Sequence, residues 1–365
     1  MSEKLPVAGS IQPSPAYVSQ TSLRGYLRLL ARAVGNVFIA LIGAYGLNLT
    51  VFLVLRDLVG ERWTLLALFN SFLHLMLIPP LVFMPLCLLL RRRRLALTQL
   101  PAVLVFVVSY GPLFIPPSVR AAQISPEAVP IRVLTYNLKS EEDGFELLAG
   151  VIDEADADIV AMQEVGEGAA NFLATEFADE YPYQAFHPQT GEPIPGQGVL
   201  SRYPILSDEY WRIYLGHQRV TLDVAGTAVV VYNLHPVQPL VRDGFDKRAE
   251  EISAGLERTT LETLPTLMVG DFNMSDQSDA YRQITSLYAD VWHKVGWGMG
   301  FTFPAGAPYF RSIPGRMPSI PEPLVRIDYI FHDEAFQALE ARVLPSSGGS
   351  DHRPLFARLA LGASQ

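Results

Sequence analysis

The sequence predicts an α/β fold, two β-sheets packed face to face with helices outside, preceded by a bundle of about three transmembrane helices. Three observations predict it. Charge and hydropathy divide sharply along the 365 residues. The first third holds three long runs without a charged residue. The remainder mixes strand-like and helix-like segments, and its strands repeatedly end on Asn, Asp, Glu or His.

The charge division marks the boundary. Residues 1–130 carry eleven Lys and Arg against four Asp and Glu, a net of +7, whereas residues 131–365 carry seventeen against thirty-three, a net of −16. An acidic domain of roughly 235 residues can bury a large core. Its balance argues against broad electrostatic attraction to nucleic acid or anionic lipid. The single cysteine, Cys87, stands in an apolar run, which excludes an intrachain disulfide and a cysteine metal cluster. It reads as a small buried apolar side chain.

The charge-free runs are Val37–Leu55, Trp63–Leu90 and Leu95–Pro117, of 19, 28 and 23 residues. Each exceeds the ~18 residues that mark a spanning helix. The second is too short for two spans and holds Pro79, Pro80 and Pro85, so it reads as one long, kinked or tilted helix over about 63–90. Arg24, Arg28 and Arg32 precede the first span, and Arg91–Arg94 separate the second from the third. The positive-inside rule then places the N-terminus and the four-arginine loop in the cytoplasm and everything after Pro117 outside the membrane. Asn48, Asn70 and His74 within the spans read as interhelical hydrogen-bonding groups, with a transport path as the alternative. Residues 1–23 read as a disordered cytoplasmic tail, 24–117 as the anchor, 118–129 as a linker and 130–365 as the extracytoplasmic domain.

Within that domain, Ile131–Leu138, Asp158–Glu164, Gly198–Ile205, Trp211–Leu215, Arg219–Val224, Ala228–Leu234, Pro265–Phe272, Arg326–Phe331 and Pro354–Leu361 read as strands. Phe145–Asp156, Asn171–Phe177, Val241–Leu264 and Ala280–Tyr288 carry helical spacing. Asn137, Glu164, His235, Asp271 with Asn273, Asp328, and Asp351 with His352 fall at strand ends or beside strands, where loops build sites. One acid after a strand is a weak signal; six places yielding only Asn, Asp, Glu and His is a strong one.

The ordered series TYN (135–137), QE (163–164), LSRYPI (200–205), NLHP (233–236), GDFN (270–273), RIDYIF (326–331) and SDHRP (350–354) resembles the motifs of the endonuclease/exonuclease/phosphatase superfamily. The resemblance covers about residues 130–362 and implies a four-layer α/β sandwich that hydrolyses phosphoesters with Mg2+ or Mn2+. Such chemistry needs charge neutralisation on phosphoryl oxygens and an oriented water, and a hard cation prefers carboxylate and amide oxygens. The resemblance makes Glu164 the main metal ligand, with Asn137 beside it and Asp351 as a second ligand or orienting acid. Asp271 is expected to orient or deprotonate water, Asn273 to hold the water or a phosphoryl oxygen, and His235 and His352 to contact phosphate. Asp328 would orient the His352 ring and favour its charged form. Taken singly, Asn137 and GDFN read equally as turns, Asp351 as a strand-start cap, Glu164 as a surface acid, His235 as a buried structural histidine, and Asp328 with His352 as a structural pair. Ser201 and Arg202 read as structural support. His187, His217, His293 and His332 match no motif.

Departures matter as well. QEV stands where apurinic endonucleases carry QET, and RIDYIF lacks the inositol-phosphatase signature, so no branch is matched closely. The expected function is a membrane-anchored, extracytoplasmic phosphodiesterase or phosphatase acting on a lipid headgroup, a small phosphoester or extracellular nucleic acid. The bilayer is its expected partner, with no obligate protein partner evident. A non-catalytic membrane-anchored binding module and a transporter are the rivals. On the enzyme reading, deletion of residues 1–120 is expected to leave the remaining domain active. The topology and the lack of cysteine suit a bacterial envelope protein.

Overall fold

The computed structural model describes residues 23–117, 128–139, 144–189, 196–305 and 323–362. The expected tail (to residue 22) and linker (118–127) lie outside them.

The N-terminal part is helical. Helix α1 (Leu23–Val59) is far longer than the run that predicted it. A 3-10 turn (Gly60–Arg62) leads into α2 (Thr64–Ser71), which meets α3 (Leu73–Leu89) at a bend of 61°. Helix α4 (Arg93–Tyr110) closes the group. Two of these helices are long and apolar enough to cross a membrane, and the α2–α3 pair adds a third only if the two form one broken span. The break falls at Phe72, seven residues ahead of the first proline, so the prolines of α3 are not its hinge.

The rest is a four-layer sandwich. One sheet has the order β11-β12-β1-β2-β4-β3 and the other β5-β6-β7-β8-β10-β9. The strands are β1 (Val129–Asn137), β2 (Ile159–Gln163), β3 (Tyr183–His187), β4 (Gln197–Ser201), β5 (Ile205–Arg212), β6 (Gly216–Val224), β7 (Thr227–Leu234), β8 (Thr266–Asp271), β9 (Ala289–Asp290), β10 (Asp328–His332), β11 (Phe336–Val343) and β12 (Leu355–Leu361). Helices α5 (Phe145–Ala155) and α6 (Glu167–Glu176) cover the first sheet. Helices α7 (Gly244–Thr259) and α8 (Asp279–Thr285) cover the second. A short α9 (Val291–Val295) packs near β11. Side chains N-cap the last two helices: the Ser278 hydroxyl accepts from Tyr281 N and the Asp290 carboxylate from Trp292 N.

Each sheet is built around one parallel pair joined by a helical crossover, β1–α5–β2 and β7–α7–β8; the other pairings are antiparallel. Alternation sorts the residues between layers. Val133, Ile159, Val220, Val231, Leu267 and Val269 fill the space between the sheets. Leu134, Val160 and Met162 face α5 and α6, while Val230, Tyr232 and Met268 face α7 and α8.

Four expectations change. The predicted strand Gly198–Ile205 is two strands in different sheets. The Ser201–Pro204 turn carries the chain across, with Ser201 Oγ accepting from Tyr203 N at 2.9 Å and Arg202 bound by Asp156, Asp158 and Glu180. The segment Trp211–Leu215 supplies only the end of β5. Strands β3 and β11 are additions, both at sheet edges. The largest departure is that the helical part is not a mere tether. Leu49, Leu73, Leu77 and Leu113 belong to the same buried cluster as the inter-sheet core. Asn70 Nδ2 donates to Gln277 O at 2.7 Å, Glu61 N to Asp279 Oδ2 at 2.8 Å, and Gly298 N to Leu113 O at 2.8 Å.

Candidate active site

The topology gathers the site. Both parallel pairs end on the same edge of the sandwich, so Asn137 and Glu164 from the first sheet meet His235 and Asp271 from the second. Strand β10 runs antiparallel to β8 with Asp328 opposite Asp271. Strand β12 runs antiparallel to β1, which brings the turn before it, with Asp351 and His352, to the same edge. Behind the site a buried amide lattice ties the sheets together. Gln163 Nε2 donates to Asn233 Oδ1 at 2.7 Å, and Asn233 Nδ2 to Met162 O at 2.9 Å.

Asp271 is the hub. One carboxylate oxygen accepts from Asn273 N at 2.9 Å, and the other from Asn137 Nδ2 at 3.0 Å. His352 Nε2 and His235 Nε2 each lie 3.6 Å from Asp271 Oδ2. Burial pushes the Asp271 carboxyl up to about 7; the nearby Asp328 and Glu164 charges add to the rise, and the charged His352 and the Asn273 N–H oppose it. Gly270 makes the close approach to β7 possible: at φ +142°, a Cβ there would stand 1.9 Å from Leu234 O.

His352 Nδ1 lies 3.0 and 3.2 Å from the two Asp328 oxygens. Burial by itself would lower its pKa. The charges of Asp328 and Asp271 outweigh burial and hold it at about 10, so the ring carries its proton at neutral pH. For His235, also buried, burial wins and the pKa falls. Its Nε2 is 3.6 Å from Glu164 Oε1, and its Nδ1 is buried with no hydrogen-bond partner among the described residues. Burial raises the Asp351 carboxyl, against His352 and Lys139. Glu164 and Asn273 both adopt left-handed backbone, φ +54° and +49°, a conformation that non-glycine residues hold only where the surroundings impose it.

The donor set suits a divalent ion. Glu164, His235 and Asp271 offer three ligand atoms within 4.8 Å of one another; Asp271, Asp328 and His352 lie equally close, but the charged His352 ring has no free lone pair to give. Two carboxylates with one neutral imidazole fit a divalent cation. Two expected ligands sit differently from their predicted roles. Asp351 lines the same cavity but belongs to neither cluster. Asn137 turns its amide nitrogen to Glu164 (3.2 Å) and Asp271, while its oxygen accepts from Lys139 N at 2.8 Å. Ligation by Asn137 requires the amide to be flipped, an orientation assigned from hydrogen bonding.

Some contributors escaped the sequence. His217, which matched no motif, pairs with buried Glu251 at 3.3 Å and accepts from His235 N through Nδ1. Glu251 in turn accepts from Leu215 N and Val237 N, fastening the loops that flank His235, and its carboxyl is held low by His217 against its own burial. Arg248, fully buried on α7, donates to Asn273 O at 2.7 Å and to Glu61 at 2.9 Å, linking the GDFN turn to the helical part. The available signal was on α7 itself: Arg248 and Glu251 interrupt the apolar stripe of Ile252 and Leu256 on its inward face.

A sandwich with carboxylates, amides and imidazoles converging at one edge of both sheets defines a class of proteins that cleave phosphoester bonds. The Endonuclease/Exonuclease/phosphatase family profile matches residues 134–352, and this chain belongs to that family. Among solved structures it is similar to a family protein from Bacteroides thetaiotaomicron, 18% identical over 64% of this chain and 99% of that one, with a TM-score of 0.50. It is also similar to D. rerio TDP2 humanized by 14 mutations, 14% identical over 63% and 98%, TM-score 0.50. A functionally unknown conserved protein from Enterococcus faecalis is 17% identical over 63% and 100%, TM-score 0.50. At these identities the likeness is one of fold. No curated protein matches the chain.

Proposed function

We propose that the protein is a divalent-metal-dependent phosphoester hydrolase anchored in the cytoplasmic membrane, with its catalytic sandwich on the extracytoplasmic side. The observation that carries the reading is the convergence of Glu164, Asp271 and the Asp328–His352 pair, from both sheets, on one cavity. Glu164 and Asp271, with His235 beside them, would hold a Mg2+ or Mn2+ ion, and Asn137 would join them with its amide flipped. The bound ion supplies positive charge for the phosphoryl oxygens. Asp271, within reach of the ion and of Asn273, orients the attacking water and takes its proton. Protonated His352, steadied by Asp328, donates to a phosphoryl or leaving oxygen. Asn273 holds the water or a phosphoryl oxygen, and Asp351 orients the approach.

Two features support the anchoring. The exposed Arg91–Arg94 turn sits between α3 and α4, whereas the helical part meets the sandwich at the opposite ends of these helices, through Glu61, Asn70 and Leu113. The arginines therefore mark the side away from the sandwich, as the positive-inside rule requires.

The test uses the full chain in detergent with Mg2+ or Mn2+. Hydrolysis of p-nitrophenyl phosphate and of bis-p-nitrophenyl phosphate is compared with an Asp271→Ala control. Metal-dependent turnover lost in the control supports the reading; absence of turnover on both esters by a folded, metal-binding protein sinks it.

A further inference from the structure

We infer that the substrate is an amphiphilic phosphodiester whose hydrocarbon tail lies in a groove shared by the membrane helices and the sandwich. The inference rests on the phosphoester-hydrolase reading and deepens it.

The cavity over the candidate site measures about 630 Å³, within the range of small-molecule sites and more than a bare phosphate needs. One end is the polar cluster. The same lining also holds apolar residues from two places distant in sequence: Leu68 and Phe72 at the α2–α3 break, and Leu240 and Val241 in the loop between β7 and α7. Phe72, Leu240 and Val241 are 38%, 64% and 42% exposed, an unusual cost for a water-facing loop and a natural arrangement beside lipid. Trp63, Leu65 and Phe69 of the same segment are also exposed, Leu65 and Phe69 each one helical turn before a cavity residue, Leu68 and Phe72. A tryptophan beside Glu61 and Arg62 is a common marker of the membrane–water interface. Lys247, whose Nζ donates to Arg242 O at 3.0 Å, adds positive charge to the cavity lining. One cavity thus joins a site for a phosphoryl group to apolar residues of the α2–α3 break. A phosphate ester carrying a hydrocarbon chain matches both ends at once. A polyanionic strand would match only one and would face the net −16 of residues 131–365. In the reaction, a water oxygen bonds to phosphorus, the bond to the leaving oxygen breaks, and the water's proton passes to Asp271.

The experiment holds the chemistry constant and varies only the tail. The full chain in maltoside detergent with Mn2+ is given methyl, butyl, hexyl and octyl p-nitrophenyl phosphate, plus thymidine 5'-phosphate p-nitrophenyl ester and p-nitrophenyl phosphate. Burial of a methylene is worth roughly fourfold in binding, so even a half-buried tail should raise kcat/KM from butyl to octyl at least about tenfold. Leu240→Ser, in an exposed loop, and Phe72→Ser should each reduce the octyl-to-butyl ratio severalfold, and this internal ratio cancels general losses. A flat series with methyl ester turnover overturns the inference and leaves the hydrolase reading standing, as does preference for the thymidine ester or for the monoester. A steep series unchanged in both variants places the tail elsewhere and also overturns it. No turnover on any ester defeats both readings.

Discussion

The two sheets contribute unlike halves to one site. The first brings Asn137 and Glu164 and, in the turn before β12, Asp351 and His352; of these Glu164 keeps 28% of its side chain exposed at the cavity rim, while Asn137 and His352 are buried. The second brings His235, Asp271 and Asp328, all buried to within a few percent. On the proposed function, the difference that matters is between the rim acid and the buried groups of both sheets. A hydrated cation would have to reach its carboxylate from water, and a rim acid would serve it. Proton transfer needs groups whose pKa values have been moved, and burial among charged neighbours moves them, up to about 7 for Asp271 and about 10 for His352.

That division can be broken most severely on the buried side. Asp271→Asn keeps shape and removes the base and a ligand, and kcat/KM should fall by about 10³-fold or more in steady-state assays, with no recovery at high metal. Asp328→Asn should lower kcat by about 10²-fold and move the alkaline limb of the pH profile. The sign follows from His352. In the native site its proton is lost only near pH 10; without the Asp328 charge, burial lowers its pKa, and the limb should shift to lower pH. The same pairing contributes stability that is full below the unfolded histidine value of about 6.5 and is lost as pH rises towards 10. If the alkaline limb stays in place, His352 is not the proton donor.

Changes on the rim should be milder and of another kind. Glu164→Gln should weaken Mg2+ or Mn2+ by about 10- to 100-fold by calorimetry, and millimolar metal should restore much of the activity. Failure of metal to restore it would move Glu164 into the buried half's role. The smallest effect on chemistry is expected from Glu61→Ala, outside both halves. It strands the buried Arg248 guanidinium, and removing one partner of a buried ion pair should cost about 3 kcal/mol of stability, measured in detergent. Activity should fall severalfold through the Asn273 turn, and Glu61→Asp should recover part of both.

Much of this was legible in the chain. Strand-end Asn137, Glu164, His235 and Asp271 could be read because parallel pairs deliver their C-terminal ends to one edge, and a strand's alternating pattern marks where it stops; Asp328 reaches that edge from the other direction, as the first residue of antiparallel β10. Strand β11 (FQALEARV) stayed hidden because, as an edge strand half open to solvent, it mixes Gln, Glu and Arg into its alternation. The break at Ser201–Pro204 was hidden by β-like residues on both sides of a turn that changes sheets. The docking of helices on sandwich was illegible because it depends on Glu61 meeting Arg248, a contact between residues 187 apart that no local pattern announces. For that reason, residues 1–120 are no longer expected to be dispensable for activity.

The Glu61–Arg248 pair also orders events in the life of the molecule. Ribosomal synthesis delivers Glu61 well before Arg248, so the acceptor exists before its donor is made. When α7 forms, its one buried guanidinium reaches back to that acceptor and forward to the GDFN turn at once. A displacement of the helical part is therefore felt at the turn that carries Asp271, although no residue of the helices touches Asp271 through this link.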